Sequence, residues 1–576
     1  MVINFKNKSH INSSILVFFT ISPLFIILFL SNILFLFKIS IPRYVILFSF
    51  IISYFTLPFL SKKNIFYEWF LTIIFYTLSF YLSIFFYDLS TDGQWYHLES
   101  IINLKQGWNP IYEISKTNVA QIYVQSYPKG YEVIAASIYS FTKKMESGKL
   151  INMIVLIASI IYVFKLLNQA NLSNLKKYIY TFLICVNPIV VTEIFTHYLD
   201  GFMYSCLIIL ICSLVLLVKN YNKIEFLNFI FILSIISSLK FTSLLLIFIL
   251  VLFVFIYLWK NDKLKFKYLL PFFITGLIIF PLTNVNPYYT NIKNNLHIFH
   301  PVFGKDKVDN LLSSHVNEDF YKKNRIEKAF ISYFSYTGRS NQTMNLKIPF
   351  SVKLSEIKNL SEVTITYGGF GPFFCVIIIL TAVLLVMSLF LANNTPSVLY
   401  YLILGIAASI LSFPDFWLAR MVPQLYLFPI IILLLMEYKS KKNIYAKILT
   451  NLTISLISLN TILFIIISLT INFYFSLNTH YQIAQLRKLD KNTIVPIDYF
   501  FKSNLTRLEE NDIAYRVVKI PYDVTNNNLH FFGSKGKNNT KFIAQFDEKD
   551  KSKLLIYLDN HYNKIFNYYQ SYKKAK

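Results

Sequence analysis

Apolar residues form long uninterrupted runs along most of this chain, and short polar segments separate them. A run of about 17 to 25 apolar residues can cross a hydrocarbon core about 30 Å thick as a helix. We count about thirteen such runs, two of which form a near-continuous stretch split at Lys240. The pattern predicts an all-α polytopic membrane protein with about thirteen transmembrane helices. The runs cover residues 14–37, 42–60, 66–87, 149–168, 177–192, 201–218, 225–239, 241–259, 268–284, 372–392, 397–413, 421–437 and 447–475.

The lysine and arginine residues of the short loops predict the orientation of these helices. With the N-terminus inside, the lysine-rich loops at 62–63, 176–177, 219–223, 260–267 and 439–447 all fall on the cytoplasmic side. The opposite side then receives five polar segments, and their meeting on one face predicts a functional site there. These segments are the loop 88–148, the turn 196–201, the loop 285–371, the turn 412–420 and the tail after about residue 476.

Two domains follow from this division. Residues 1–475 form the membrane module, and residues 476–576 form a small extracytoplasmic α+β domain. In that domain we expect an amphipathic helix near 479–489 and strands in AYRVVKI (514–520) and TKFIAQF (540–546). In the first loop, Asp92 and Gly107 predict the start and stop of a helix over 93–106. A second amphipathic stretch, 130–141, is expected to lie in the membrane interface.

Composition agrees with a bilayer protein. The 576 residues are 55% hydrophobic and 15% charged, whereas soluble domains carry about 25% charged residues. The formal net charge is +25, but the basic residues lie mostly in short loops and form no stripe with base-reading motifs, so we predict no nucleic-acid partner. The four cysteines all fall inside apolar segments, without the spacing of a disulfide framework or a metal pair.

The first outer loop carries a recognisable order of residues: Asp92, Gly93, Tyr96, a helix, Gly107 and Pro110. This order resembles the GT-C superfamily of membrane glycosyltransferases, and more narrowly the protein O-mannosyltransferases and the aminoarabinose transferases of lipid A. Gly93 stands where those enzymes usually have a glutamate, and Asp88 and Glu99 are the nearest substitute acids.

The resemblance extends over roughly residues 66–260. The pair Pro128–Lys129 is similar, in reversed order, to a lysine-proline pair of the family. Asp200 matches an aspartate that begins a later span, and Lys240 is similar to a lysine at the start of the following helix. The resemblance implies a GT-C-like fold and a donor sugar linked to a polyprenyl phosphate.

Such a transfer needs a carboxylate that takes a proton from the acceptor. Asp92 is the candidate base, and the alternative for it is an ordinary helix N-cap. Asp88 is the second catalytic candidate, and the alternative for it is a solvated residue at the end of a span.

The departing phosphate needs cations. Arg420 is the first candidate because arginine binds phosphate through two parallel hydrogen bonds. The alternative for Arg420 is a snorkelling interfacial residue paired with Asp415. Lys129 and Arg339 are the second candidates for binding the donor phosphate.

The remaining candidates are expected to contact substrate. Glu193, His197 and Asp200 share one face if their segment is helical, which also suits a divalent cation. The chain has no dedicated metal spacing, so we assign no metal ligand. A role in an interfacial aromatic belt is the alternative for the aromatic candidates, and a surface or packing role for the histidine of the first loop. The substrate-binding candidates are Tyr96, His97, Glu99, Trp108, His197 and Asp200.

The sequence thus predicts a multi-pass enzyme of the bacterial inner membrane with its site on the extracytoplasmic face. Its expected reaction transfers a sugar from a polyprenyl-phosphate donor to a glycan, lipid or protein acceptor. Its expected partners are that donor, that acceptor and the membrane lipids. The alternatives are an O-antigen or exopolysaccharide polymerase or ligase, expected to have arginine-rich outer loops, and a non-enzymatic lipid or polysaccharide transporter, expected to have internal repeats.

Overall fold

The protein is mostly helical in a computed structural model. The structure describes residues 11–59, 65–117, 120–219, 221–261, 265–307, 318–338, 346–391, 397–439, 443–490, 492–521, 528–532 and 540–562.

Seven helices within the described residues are long and apolar enough to cross a membrane. Three shorter helices are also apolar: Val45–Thr56, Phe374–Phe390 and Val398–Ser412. The chain therefore has the helices of a membrane protein, but the predicted count of thirteen spans is not confirmed. The seven long helices are Ser13–Leu36, Phe66–Phe85, Met145–Asn168, Asp200–Lys219, Phe241–Lys260, Phe266–Thr283 and Ile444–Lys488.

Two predicted runs show why apolar length and helix length differ. The run 177–192 is divided into the helices Asn174–Cys185 and Pro188–Glu193. Asn187 is extended between them because a residue before proline avoids the helical region. The last run instead continues past its apolar part as one helix of 45 residues, Ile444–Lys488, which includes most of the amphipathic helix expected near 479–489.

The other helices are shorter, and several support the predicted site. The stretch expected in the membrane interface is the helix Gly130–Thr142, but all of its residues up to Tyr139 are buried in protein. This part of the helix is therefore enclosed by protein and has no face directed to lipid or solvent. Further α-helices are Leu98–Lys105, Gln121–Ser126, Lys223–Ser237, Thr290–Lys293, Glu318–Tyr321, Arg325–Tyr333, Leu354–Asn359, Leu427–Lys439 and Ser503–Glu509.

The core of the bundle is the helix Asp200–Lys219. It is apolar around its whole circumference, as expected for a helix enclosed by others, and most of its side chains are buried. It packs against Met145–Asn168 and Lys223–Ser237. Its first residue, Asp200, lies at the end of the bundle where the polar segments meet.

A small four-stranded sheet follows the last long helix. Its strands are Val495–Asp498, Tyr515–Val517, Leu529–Phe531 and Lys541–Ile543. The order is second, first, fourth, third, and the first two pair in parallel whereas the other pairings are antiparallel. Both segments expected to be strands, 514–520 and 540–546, contain one, so these two predicted strands are confirmed.

Candidate functional site

The five polar segments expected on one side of the membrane meet at one end of the bundle. Polar contacts join each of them to at least one other. These contacts pair Asp92 with Arg420, Asp88 with His197, Asn286 with the carbonyl of Pro110, Arg325 with the carbonyl of Phe413, and Arg507 with Glu146.

Asp92 and Arg420 form an ion pair between residues 328 positions apart, with 3.1 Å between Oδ2 and Nη1. Their side chains are 23% and 17% exposed, respectively. The Asp92 side chain makes no capping hydrogen bond to the helical turn that follows it, so it does not act as the N-cap considered above. Asp415, the other partner considered for Arg420, accepts a hydrogen bond from the indole of Trp417 instead.

Two tyrosines surround this pair. The Tyr198 hydroxyl accepts a hydrogen bond of 3.3 Å from the backbone N–H of Asp92. The Arg420 guanidinium lies 5.5 Å from the centre of the Tyr198 ring. Burial would lower the pKa of Arg420, but nearby negative charges, including those of Asp92 and Asp200, outweigh burial and raise that pKa. Burial and the charge of Asp92 raise the pKa of the Tyr96 phenol. Arg420 is therefore a permanent cation in a site where the tyrosines stay neutral.

Lys240 supplies a second cation beside this pair. Its Nζ lies 2.5 Å from Oδ1 of Asp200, and its side chain is 26% exposed. Asp200 is also close enough to Arg420 to affect its pKa, so the two cations flank one carboxylate. The sequence pointed to Lys240 as a functional residue only through the resemblance.

Glu193 lies next to Asp200 and is completely buried. Its Oε2 accepts a hydrogen bond of 2.6 Å from the backbone N–H of Gly201. Burial, followed by the charge of Asp200, raises the pKa of Glu193. A neutral Glu193 avoids a second buried negative charge beside Asp200.

Glu193, His197 and Asp200 do not share a helix face. The helix ends at Glu193, and His197 lies in the following turn and points toward Asp88. The expected cluster on one face was therefore wrong. Among the described residues, no group of three or more histidine, cysteine, aspartate or glutamate side chains is placed to hold a metal ion.

Asp88 lies behind the Asp92–Arg420 pair and is 1% exposed. Its Oδ2 accepts hydrogen bonds of 2.8 and 2.9 Å from the backbone N–H and Nδ1 of His197. Its Oδ1 accepts bonds of 2.8 and 2.6 Å from the backbone and hydroxyl of Ser90. Burial would raise the pKa of Asp88, but the bonds from His197 hold it below its ordinary value. Burial lowers the pKa of His197. The imidazole is therefore neutral and donates a hydrogen bond to Asp88, and both carboxylate oxygens of Asp88 are already occupied by hydrogen bonds.

Gly93, which stands where the enzymes of the resemblance usually have a glutamate, has little space around it for a side chain. A Cβ atom at this position would lie 2.6 Å from Oδ2 of Asp88 and closer still to Oγ of Ser90. The side chain of a glutamate at position 93 would therefore overlap Ser90 and Asp88. The Asp88 carboxylate occupies the neighbouring space, but it is turned inward to His197 rather than toward Arg420.

Two other substrate-binding candidates of the first loop, His97 and Glu99, lie outside this cluster. His97 is buried, with its Nδ1 2.7 Å from Oε1 of Glu132. Glu99 is 4% exposed and pairs with Lys502 of the C-terminal domain at 2.8 Å. Both side chains are satisfied by protein partners, and this geometry favours a structural role for each.

The remaining candidates are similarly placed. Trp108 is 7% exposed, and its indole N–H donates to the carbonyl of Glu113 at 3.1 Å. Lys129 is buried, and its Nζ donates to the carbonyl of Tyr127 at 2.7 Å. Burial lowers the pKa of Lys129 to about 8. Arg339 lies outside the described residues. Of the two described cations considered for the donor phosphate, Arg420 lies beside Asp92.

Sequence reasoning missed a buried charge cluster beneath the first loop. Glu146 pairs with Lys149 of its own helical turn and with Arg507 of the C-terminal domain. The two cations offset the charges of Glu146 and Asp88, so the buried set is neutral overall. No local pattern marks Arg507, because its ionic partner Glu146 is 361 residues away in the chain.

Comparisons with known proteins add no family to this geometry. No protein-family model matches the chain, and no curated protein matches it.

Proposed function

We propose that this chain is a membrane glycosyltransferase of the GT-C type, moving a sugar from a polyprenyl-phosphate donor to an extracytoplasmic glycan, lipid or protein. The observation that carries the proposal is the Asp92–Arg420 pair. A partly open carboxylate lies 3.1 Å from a partly open guanidinium at one end of an apolar helix bundle. Most nearby ionisable groups are buried and paired, whereas these two can reach a substrate.

The chemistry assigns a role to each member of the site. Asp92 takes the proton from the acceptor hydroxyl as the acceptor oxygen bonds to the anomeric carbon of the donor sugar. The bond between that carbon and the phosphate oxygen breaks, and the polyprenyl phosphate leaves with the bonding electrons. Arg420 and Lys240 stabilise the negative charge that develops on the phosphate.

The ion pair also predicts an order of events. A carboxylate held by a cation is a weak proton acceptor, because the cation stabilises its charged form. The donor phosphate competes with Asp92 for Arg420, since a guanidinium binds phosphate through two parallel hydrogen bonds. Donor binding therefore releases Asp92, and the acceptor is deprotonated only when a donor is in place.

A transfer assay tests the proposal. Membranes containing the full chain are supplied with a panel of radiolabelled polyprenyl-phosphate hexoses and with the glycans, lipids and proteins of the same cells. We expect label in an acceptor with the wild type, and a loss of about 10²- to 10⁴-fold with Asp92→Asn because the general base is removed.

Asp512→Asn is the matched control. Asp512 is exposed and has a φ of 56°, a conformation that asparagine tolerates, so this variant should keep wild-type activity. Full activity of Asp92→Asn would refute the base assignment. Movement of label across the membrane without a new glycosidic bond would favour the transporter alternative.

The proposed orientation is tested by cysteine labelling in intact bacterial cells. All four natural cysteines are buried, which leaves a low background for a membrane-impermeant maleimide. Lys116, in the first loop, and Lys219, at the other end of the core helix, are exposed. We expect Lys116→Cys to react in intact cells and Lys219→Cys to react only after permeabilisation. The reverse result would place the site in the cytoplasm.

A further inference from the structure

The C-terminal domain packs directly against the segment that carries Asp92. Tyr87, the last residue before that segment, belongs to an apolar cluster formed otherwise by the end of the long helix and by the C-terminal domain. The contact between the two domains is therefore part of the hydrophobic core. The cluster contains Tyr87, Ile483, Leu486, Val495, Ile497, Leu508, Ile513, Phe532, Phe542 and Ala544.

Arg507 extends this contact into the charged layer below the site. It is 4% exposed, and its Nε and Nη2 lie 3.1 and 2.7 Å from Oε1 of Glu146. Its Nη1 donates to Oε1 of Gln94 at 3.0 Å, and its Nη2 to the carbonyl of Asp88 at 3.3 Å. The guanidinium also lies 5.3 Å from the centre of the Tyr87 ring.

These partners hold the backbone on both sides of Asp92. Glu146, which Arg507 orients, accepts a bond of 3.2 Å from the backbone N–H of Asp88. The side chain of Gln94 donates to the carbonyl of Ser90 at 3.2 Å. Arg507 thereby constrains residues 88 and 90 before the candidate base and residue 94 after it.

Two neighbours of Arg507 reinforce the same contact. The hydroxyl of Ser503 donates to Oε1 of Gln94 at 3.3 Å, and Lys502 forms an ion pair with Glu99 at 2.8 Å. All three residues come from the helix Ser503–Glu509 or the residue before it. One face of this helix thus contacts the first loop through several polar side chains.

We propose that Arg507 is a positioning residue for Asp92, and that the C-terminal domain is part of the catalytic unit rather than a separate module. This inference rests on the proposed function. The hydrogen bonds of Arg507 to the first loop go to Glu146, Gln94 and the carbonyl of Asp88. Arg507 therefore acts on the geometry of the base and not on the donor phosphate.

Kinetics of the full chain test the assignment. For Arg507→Gln we expect kcat to fall about 100-fold, because a small displacement of a catalytic group has effects of this size, while the donor KM changes less than about threefold. Arg507→Lys should recover part of the loss, since lysine keeps the charge but not the planar fork. Arg516→Gln is the matched control, because Arg516 is exposed on a strand of the same domain.

Gln94→Met provides a second test in case the Arg507→Gln protein does not fold. It removes one contact of Arg507 without leaving a buried charge unpaired, and we expect a fall in kcat of about tenfold. All rates are expressed per molecule that elutes as folded protein. Wild-type kcat in Gln94→Met together with wild-type kcat in Arg507→Lys would overturn the inference.

Hydrogen exchange gives a readout that does not depend on transfer. Amides of peptides covering residues 88–97 should exchange faster in Arg507→Gln and Arg507→Lys than in the wild type. The exchange rates of the same amides in Arg516→Gln should equal those of the wild type. Equal exchange in all variants would overturn the positioning role even if the enzyme is active. If the wild type transfers no sugar while this exchange difference is present, the proposed function fails and the positioning contact stands.

Discussion

Asp88 and Asp92 lie four residues apart in one loop, but the fold gives them opposite surroundings. Asp88 is 1% exposed and accepts hydrogen bonds from His197 and Ser90. Asp92 is 23% exposed, and its ionic partner is Arg420. The layer around Asp88 is rigid and occupied, whereas the pair at Asp92 can exchange one partner for another. The burial of a carboxylate and its partners thus decide whether it suits a structural role or a catalytic role.

The buried layer and the open pair also balance charge differently. Below the loop, Asp88 and Glu146 are offset by Lys149 and Arg507, and all four are almost completely buried. The Asp92–Arg420 pair is partly exposed to solvent. An anionic substrate can therefore replace the Asp92 carboxylate at Arg420. Removing a charge should therefore destabilise the first region and change ligand binding in the second.

The largest expected effect separates the two aspartates by stability. Asp88→Asn should destabilise the protein by about 3–5 kcal/mol, because it leaves buried cations uncompensated. Asp92→Asn should cost less than about 1 kcal/mol, as expected for a partly exposed pair. Thermal unfolding of both variants in detergent measures the difference. Equal unfolding temperatures for the two variants would contradict the assignment of a structural role to Asp88 and not to Asp92.

A smaller effect is expected at Gly93, where a methyl group would overlap Asp88 and Ser90. Gly93→Ala should destabilise the protein by about 1–3 kcal/mol through overpacking. Gly276→Ala is the control, since a Cβ there would meet no atom within 4 Å. The two variants are compared by the same thermal unfolding. A Gly93→Ala protein as stable as the control would show that the space beside Asp88 can expand.

The smallest expected effect concerns the open pair. Asp92→Asn should bind a polyprenyl monophosphate about tenfold more tightly than the wild type, a change of about 1.4 kcal/mol, because the carboxylate no longer competes for Arg420. Arg420→Gln should bind it more weakly than either. Binding is measured by fluorescence titration in detergent micelles. Weaker binding by Asp92→Asn would refute the exchange of partners at Arg420.

Several local features were predictable because short-range rules govern them. Gly107 was expected to end the helix of the first loop, and the chain there adopts a φ of +100°, which glycine permits at low cost. Two of the four described strands of the C-terminal domain, Tyr515–Val517 and Lys541–Ile543, were visible as short β-rich segments. The break at Asn187–Pro188 was also visible in principle, since proline disfavours a helical residue before it, and it divides the predicted run 177–192 into two shorter helices.

The sequence by itself determined that this chain is a bundle of apolar helices whose polar loops gather acids and cations, because hydropathy and backbone preference act over a few residues. Only the tertiary structure decided which acid stays open. The partners of Asp92 and Asp88 lie 328 and 109 residues away, and Arg507 reaches Glu146 across 361 residues. Burial sets the cost of each charge, and burial is defined only once these distant segments have packed together.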